Sequence, residues 1–534
     1  MASKSLHCII LFLLITLPLL LTLPQYGVTF DEPIYLEAAR NVQKWMALPG
    51  VRFLDPDTIA RYWKTDPLRN VHPSGLKWIY LIAGKTIFWE KDPYLQNRIL
   101  NVLLFSICLT VFLYWWAADR PGSRILYVLL LLTMPRLFAH LHFAATDIPM
   151  IALLVLLVVC LDRTLLQGKY WVSGVLLGLL ACIKITSVLL TIPLFVTFLV
   201  WYRKRWRVIV PRLVVICLLG VLVFYLLNPD WWFSPISRCR EFLNSTLTRR
   251  AWTPFTLYFG GHFYNYRGPW YYPFVIFAIT TPLLHLACLF AGVAWLVKEA
   301  RARWDIKTGL LLVGLATPFA LLVLPLSPTN DGIRYLLPAF PFALCFVTTG
   351  IQNGWRYITR GPAPGKRDLV ARYGFAVAGI ALLGADLHSP ARYPPFELSY
   401  YNLLVGGIAG ARRKGYETTY WWETLNPRAL EEVNRRCRGA TVYFPAPPTD
   451  LFFEQMRAQG RIAFTPSQER PQDADFMLII GRPFVRFWEA KTWPVYKDAG
   501  KVPVPVWEIA LDSVPLLKLY RIKTRQPPRP LSFR

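Results

Sequence analysis

The chain has 534 residues, of which 54% are hydrophobic, 15% aromatic and only 17% charged, and its mean hydropathy is +0.35. Soluble globular proteins carry about 25% charged residues, so this composition excludes one, together with disorder, a collagen repeat, a coiled coil and, with 9 cysteines, a small disulfide scaffold. What remains is a polytopic α-helical membrane protein; its excess of 59 Lys+Arg over 32 Asp+Glu falls in clusters between apolar runs, as at Arg203, Lys204, Arg205 and Arg207, which marks cytoplasmic loops and no nucleic-acid partner.

An apolar stretch at 6–23 follows Lys4, and with no small-residue cleavage pattern after it the stretch is expected to remain as a first helix. Further apolar runs lie at about 99–118, 125–135, 148–161, 171–183, 185–202, 208–227, 273–297, 309–326, 335–350 and 373–387, making about 11 spans, several of them short. With the N-terminus cytoplasmic, the inside loops 119–124, 162–170, 203–207, 298–307 and 355–372 hold 17 Lys/Arg in 48 residues, against 8 in 66 for the outside loops 136–147, 184, 228–272 and 327–334. That asymmetry sets the orientation. The first outer loop, 24–98, is too long for its charge to control translocation. Cys108, Cys160, Cys182, Cys217, Cys288 and Cys345 sit within apolar runs as packing residues, and Cys239 and Cys437 lack any partner spacing and are expected to be free thiols.

The last span leaves 388–534 outside, with a composition of soluble type. A strand at 440–444, a helix at 450–460, strands at 461–465 and 474–480, and a hairpin over 503–522 turning at Asp512 and Ser513 predict a C-terminal extracytoplasmic α/β domain, 388–534, after a membrane domain, 1–387. No internal repeat is visible, which counts against an inverted-repeat transporter.

Ionisable groups are costly at membrane depth, and here they gather on the outer side: Asp31, Glu32, His72, Arg136, His140, Asp147, Lys184, Asp230, His262 and Arg334. In FDEPIYLEAAR at 30–40, Asp31 or Glu32 caps an amphipathic helix entered through Pro33; a carboxylate fixed in that way also suits a general base. In PRLFAHLHFAATDIPM at 135–150, Arg136, His140 and Asp147 share a face on helical spacing, but the Thr-Asp-Ile-Pro helix start predicts a break there, with Asp147 as an N-cap. Two histidines two apart point to opposite sides of a helix, so no metal is demanded. Lys184, alone between two apolar runs on the side where positive charge is disfavoured, calls for an anionic partner rather than snorkelling, and Arg334 follows the same logic. Two cations at one outer cavity suit a phosphate.

At these residues the chain resembles the GT-C superfamily of polytopic glycosyltransferases that use polyprenyl-phosphate sugars, which includes the protein O-mannosyltransferases (glycosyltransferase family 39) and the aminoarabinose transferases of lipid A. FDEPIYLEAAR resembles the family's first-loop acidic pair, HPSGLKWIY at 72–80 its K-P-P-L-x-x-W-L segment, ATDIPM its T-D-x-P, GLLACIKITSVLLTIPL its G-L-x-x-L-T-K-x run, and RYLLPAFP at 334–341 its R-Y-L-L-P-x-x-P. The stretch 393–423 is similar to the tails of many bacterial members. His72 stands where the aminoarabinose transferases have lysine and Val71 where they carry an acidic residue, so their metal site and acceptor chemistry are not carried over.

The resemblance implies a GT-C-like membrane domain over 1–387 in a bacterial inner membrane, with the active site facing outward. It implies inverting transfer of a sugar from a polyprenyl-phosphate donor to a hydroxyl of an acceptor lipid, glycan or protein. Asp31 is then the general base, with Glu32 or Asp147 orienting it or helping Asp31 to hold a divalent cation. His72, Arg136, His140, Lys184, His262, Arg334 and Tyr335 would bind substrate, the cations facing the leaving phosphate. The competing reading is a transporter or flippase of a lipid-linked or polar solute, in which the same charges bind without chemistry.

Overall fold

Runs of Leu, Val and Ile satisfy their backbone away from water only by helical hydrogen bonds, and the apolar runs of the first 360 residues are helical. The computed structural model describes residues 2–63, 72–247, 256–259, 261–263, 268–300, 305–324, 327, 329, 331–360, single positions between 374 and 384, 393–445, 450–468, 473–481 and 505–522. Ala2–Thr22 buries Leu11, Ile15 and Leu19, one residue per turn, and exposes Leu6, Leu13, Leu17 and Leu21. Trp206–Leu227 likewise exposes Val214, Leu218, Val221 and Leu222. Apolar faces of this extent belong against lipid.

Among the described residues five stretches are long and apolar enough to cross a membrane: Ser5–Gln25, Pro93–Trp116, Arg203–Leu227, Ile306–Val323 and Arg334–Thr359; Pro121–Leu132, Trp171–Ile183 and Ile185–Trp201 are shorter apolar helices. Asp147–Thr164 is buried almost all round, packed on Pro93–Trp116 and Trp171–Ile183. Small residues let backbones approach: Gly292 and Gly350 face each other's helices across a crossing where a Cβ on either would strike backbone atoms of the other, and a Cβ on Gly178 would stand 2.6 Å from Val223. The span expected at 373–387 falls largely outside the described residues.

Two expected spans are broken. The run 273–297 is divided into Tyr272–Thr280 and Leu283–Ala300, because Pro282 has no N–H and holds Thr281 extended at φ −95°, ψ 136°. The carbonyls freed there are bound by Asn402, whose side chain donates to Ala278 O at 2.6 Å and Thr281 O at 2.7 Å and whose backbone donates to Ile279 O at 2.9 Å. The run 185–202 opens with a 3-10 turn, Ile185–Leu190, ahead of Ile192–Trp201, and the chain is extended at Lys184 (φ −159°, ψ 112°).

The stretch expected as the first loop, 24–98, carries the helices Glu32–Met46, Pro56–Trp63 and Gly75–Thr86. Two short strands, β1 (Thr256–Tyr258) and β2 (Gly261–Phe263), pair antiparallel. The C-terminal sheet consists of β3 (Thr441–Tyr443), β4 (Thr465–Ser467), β5 (Phe476–Ile480), β6 (Pro505–Leu511) and β7 (Val514–Arg521) in the order β4-β3-β5-β7-β6. β3 runs parallel to β4 and β5, and the remaining pairs are antiparallel. The β6–β7 hairpin turns at Asp512 and Ser513, at φ 45° and 62°, the geometry that matches strand twist in a two-residue turn. The strand expected at 461–465 starts only at Thr465, after Asp450–Ala458 ends and Gly460 takes φ 65°.

The sheet accounts for only the later part of 388–534. Residues 393–426 instead thread among helix ends, through Asn402 as above and through Tyr400 and Trp421. The sheet layer also grips the first loop, Gln455 Nε2 donating to Pro33 O at 3.1 Å and Arg461 Nη1 to Asp92 Oδ2 at 2.8 Å. None of the nine cysteines forms a disulfide.

Candidate functional site

Asp31 precedes the helix Glu32–Met46 but does not cap it with its side chain. Its Oδ2 takes Arg334 Nη2 at 2.7 Å and the Trp421 indole N–H at 3.2 Å, and no hydrogen bond reaches Oδ1 among the described residues. At 19% the Asp31 side chain is the most exposed carboxylate of its cluster. Burial raises its pKa, more than Arg334 lowers it.

Asp147 opens the next buried helix, with Thr146 at the N-cap and no side-chain cap bond. Its Oδ2 accepts from Arg334 Nε at 2.7 Å and its Oδ1 lies 4.0 Å from Lys184 Nζ. Arg334 stands at the start of the 3-10 turn Arg334–Ala339 and also approaches Asp331, 3.4 Å away. Its guanidinium lies 4.2 Å from the Trp421 ring centroid, and Lys184 Nζ lies 4.9 Å from that of Tyr335. The extended backbone at Lys184 is what turns this lysine out of the helix Trp171–Ile183. Five of the expected residues, Asp31, Asp147, Lys184, Arg334 and Tyr335, are thus in one contact network.

The others are placed differently. His140 joins through Tyr420, with Nε2 2.8 Å from the phenol oxygen, and its ring lies 5.3 Å from Trp421; burial pushes its pKa down to about 3, so the ring is neutral. His72 lies 5.7 Å, ring to ring, from Tyr35, one turn after Asp31. Arg136 is on the far side of Tyr420, its Nε on Tyr400 O. Asp230 is paired with Arg238 at 2.8 Å, apart from the cluster. The side chain of His262 lies outside the described residues.

Glu32 requires a correction. Its Oε1 takes Arg98 Nε at 2.8 Å and Ala144 N at 2.9 Å, and its Oε2 takes Arg98 Nη2 at 2.8 Å, Thr29 N at 2.8 Å and the Thr29 hydroxyl at 3.1 Å. With both oxygens saturated and 0% exposure, Glu32 is a tie between three chain segments, neither a base nor a ligand. A divalent cation shared by Asp31 and Glu32 therefore does not fit, and among the described residues no three of His, Cys, Asp or Glu gather as a metal site.

Sequence reasoning passed over Trp421, Tyr420, Asp331 and Arg98. The run YETTYWWE at 416–423, three aromatic residues together in a stretch of soluble composition, was the available signal for the first two.

Carboxylates bridged by an arginine and a lysine thus stand at the ends of a bundle of apolar helices with a C-terminal sheet, and the chain is similar in part to a family of glycosyltransferases. More particularly, the family model of glycosyltransferase family 87 matches residues 92–325, which contain Arg136, His140, Asp147 and Lys184 but neither Asp31 nor Arg334. The fold is similar to the crystal structure of ArnT from Cupriavidus metallidurans in the apo state, with a TM-score of 0.50 at 14% identity over 97% of this chain and 98% of that one. The same protein bound to undecaprenyl phosphate gives 0.49 at 14% identity over 96% and 97%. No curated protein matches the chain significantly.

Proposed function

We propose that the protein is a glycosyltransferase that moves a sugar from a polyprenyl-phosphate donor to an acceptor hydroxyl, with inversion, at the outer face of a bacterial inner membrane that it spans about 11 times. The observation carrying this reading is Arg334 held between Asp31 and Asp147, with Lys184 beside Asp147: a carboxylate with an open oxygen next to two cations. Asp31 Oδ1 takes the proton of the acceptor hydroxyl as that oxygen attacks the anomeric carbon. The bond from that carbon to the phosphate oxygen breaks, and the electron pair leaves on the phosphate. Lys184 and Arg334 stabilise the charge that gathers there. Asp147 orients both cations, and His72, through its contact with Tyr35, borders the donor.

The test is reconstitution of the purified protein with a panel of polyprenyl-phosphate sugars and candidate lipid, glycan and protein acceptors, read by release of polyprenyl phosphate. Release that depends on acceptor supports transfer. Translocation of labelled lipid-linked sugar without release would make the protein a flippase.

A further inference from the structure

Next to the Asp31–Arg334 network is a small cavity, lined among others by Arg136, Tyr272, Gly332, Tyr401, Glu417 and Tyr420. Arg136 is 1% exposed. Its Nε donates to Tyr400 O at 3.0 Å, but Nη1 and Nη2 have no hydrogen-bond partner. The guanidinium is held against tyrosine faces, 4.5 Å from the centroid of Tyr401 and 5.5 Å from that of Tyr420. Two buried charged N–H groups without acceptors cost more than a hydrogen bond contributes, so packing alone does not account for an arginine at this place. Gly332 keeps the space open: it sits at φ +59°, and a Cβ there would stand 2.9 Å from Arg136 Nη1 and 3.0 Å from the Tyr420 ring. Gly332 lies two residues before Arg334, and Tyr420 adjoins Trp421, so the cavity shares its wall with the reacting groups.

The lining selects a guest by chemistry. A phosphate or carboxylate would satisfy Arg136 but bring a second negative charge into a cavity that the buried Glu417 also lines. A neutral hydroxyl satisfies Arg136 without adding charge beside Glu417, since it accepts from a guanidinium, while tyrosine faces pack against its carbon. The space suits a group about the size of one water, an arm of a sugar rather than a whole ring.

We infer that this cavity receives one hydroxyl-bearing arm of the sugar carried by the lipid phosphate and thereby fixes which sugar is transferred, an inference that rests on the glycosyl-transfer reading above. The experiment uses the intact protein in proteoliposomes, the polyprenyl-phosphate sugar it turns over best, and that donor's monodeoxy analogues, one for each hydroxyl. A site built to hydrogen-bond a hydroxyl strongly rejects the analogue lacking it. One deoxy position should therefore lose about 100-fold in kcat/KM and the others about 10-fold or less. Glu417→Gln and Gly332→Ala should reduce the selective loss to about 10-fold or less, with the Kd for polyprenyl phosphate unchanged. Even losses at all positions in the wild type, which needs no variant to fold, would overturn the inference, as would variants that keep the selectivity intact. Both of those outcomes arise in a working transferase. If the wild type turns over no polyprenyl-phosphate sugar, the transfer reading itself fails and this subsite falls with it.

Discussion

Trp421 donates its indole N–H to Asp31 Oδ2 across 390 residues of sequence while its ring lies under the guanidinium of Arg334, 4.2 Å from its carbon. One side chain thus fixes the carboxylate and the cation relative to each other, and Phe30 N, donating to Trp421 O at 3.1 Å, ties the backbones together.

Trp421→Phe should keep the stacking and lose the hydrogen bond. A hydrogen bond to a charged group contributes about 1.5–3 kcal/mol, so kcat should fall about 10- to 100-fold with little change in donor KM. An unchanged kcat would mean that Arg334 alone positions Asp31.

Asp31→Asn keeps the shape and removes the base, and transfer should drop by about 100-fold or more while polyprenyl-phosphate binding persists. Lys184→Ala should instead raise the donor KM by about 10-fold, because it removes a cation from the phosphate. The raised pKa of Asp31 places the acidic limb of the rate profile above the pH at which an ordinary aspartate titrates, with activity growing as pH rises through it. Wild-type rate and pH profile in Asp31→Asn would transfer the role of base to another group.

Glu32→Gln should show the opposite pattern to Asp31→Asn. Removing one partner of a buried ion pair costs about 3–5 kcal/mol, so the melting temperature in detergent should fall, whereas Asp31→Asn should leave it nearly unchanged. Equal melting temperatures for the wild type and Glu32→Gln would contradict the structural role assigned to this pair.

Glu397, 2% exposed, has its pKa raised by burial from 4.5 to about 7, beside the Tyr26 phenol. Between those values the folded protein holds a proton that the unfolded chain has lost. The contribution is complete below about pH 4.5 and is lost as pH rises through 7, by up to about 3 kcal/mol. Thermal melts from pH 5 to 8 should decline for the wild type and stay flatter for Glu397→Gln. Parallel curves would rule out Glu397 as the titrating group.

The membrane helices and the β6–β7 hairpin were legible because each rests on local signals: long apolar runs, or alternation around a turn at Asp512 and Ser513. The grouping of Asp31, Asp147, Lys184 and Arg334 was also expected, since loop charge puts them on one side of the expected topology, and the four are in contact. What the sequence hid depends on contacts between distant segments. Asp31 and Glu32 are adjacent and chemically alike, and only Arg98, Thr29 and Ala144 decide that Glu32 is saturated. The break at Pro282 could be read as a helix start, but not that Asn402 would bind the freed carbonyls. Residues 393–426 have the composition of a soluble domain and still pack on the Asp31–Arg334 network, because Tyr420 and Trp421 lie against His140, Phe143 and Arg334.

The course of residues 393–426 also bears on the protein's biogenesis. A ribosome that has released the chain only as far as residue 387 has delivered Asp31, Asp147, Lys184 and Arg334 to the membrane but not Tyr400, Tyr420 or Trp421. The centre is assembled when residues 393–426 fold back onto helices made earlier. A nascent polypeptide that has reached residue 387 therefore has its charged cluster synthesised and the aromatic wall of Tyr400, Tyr420 and Trp421 still to come.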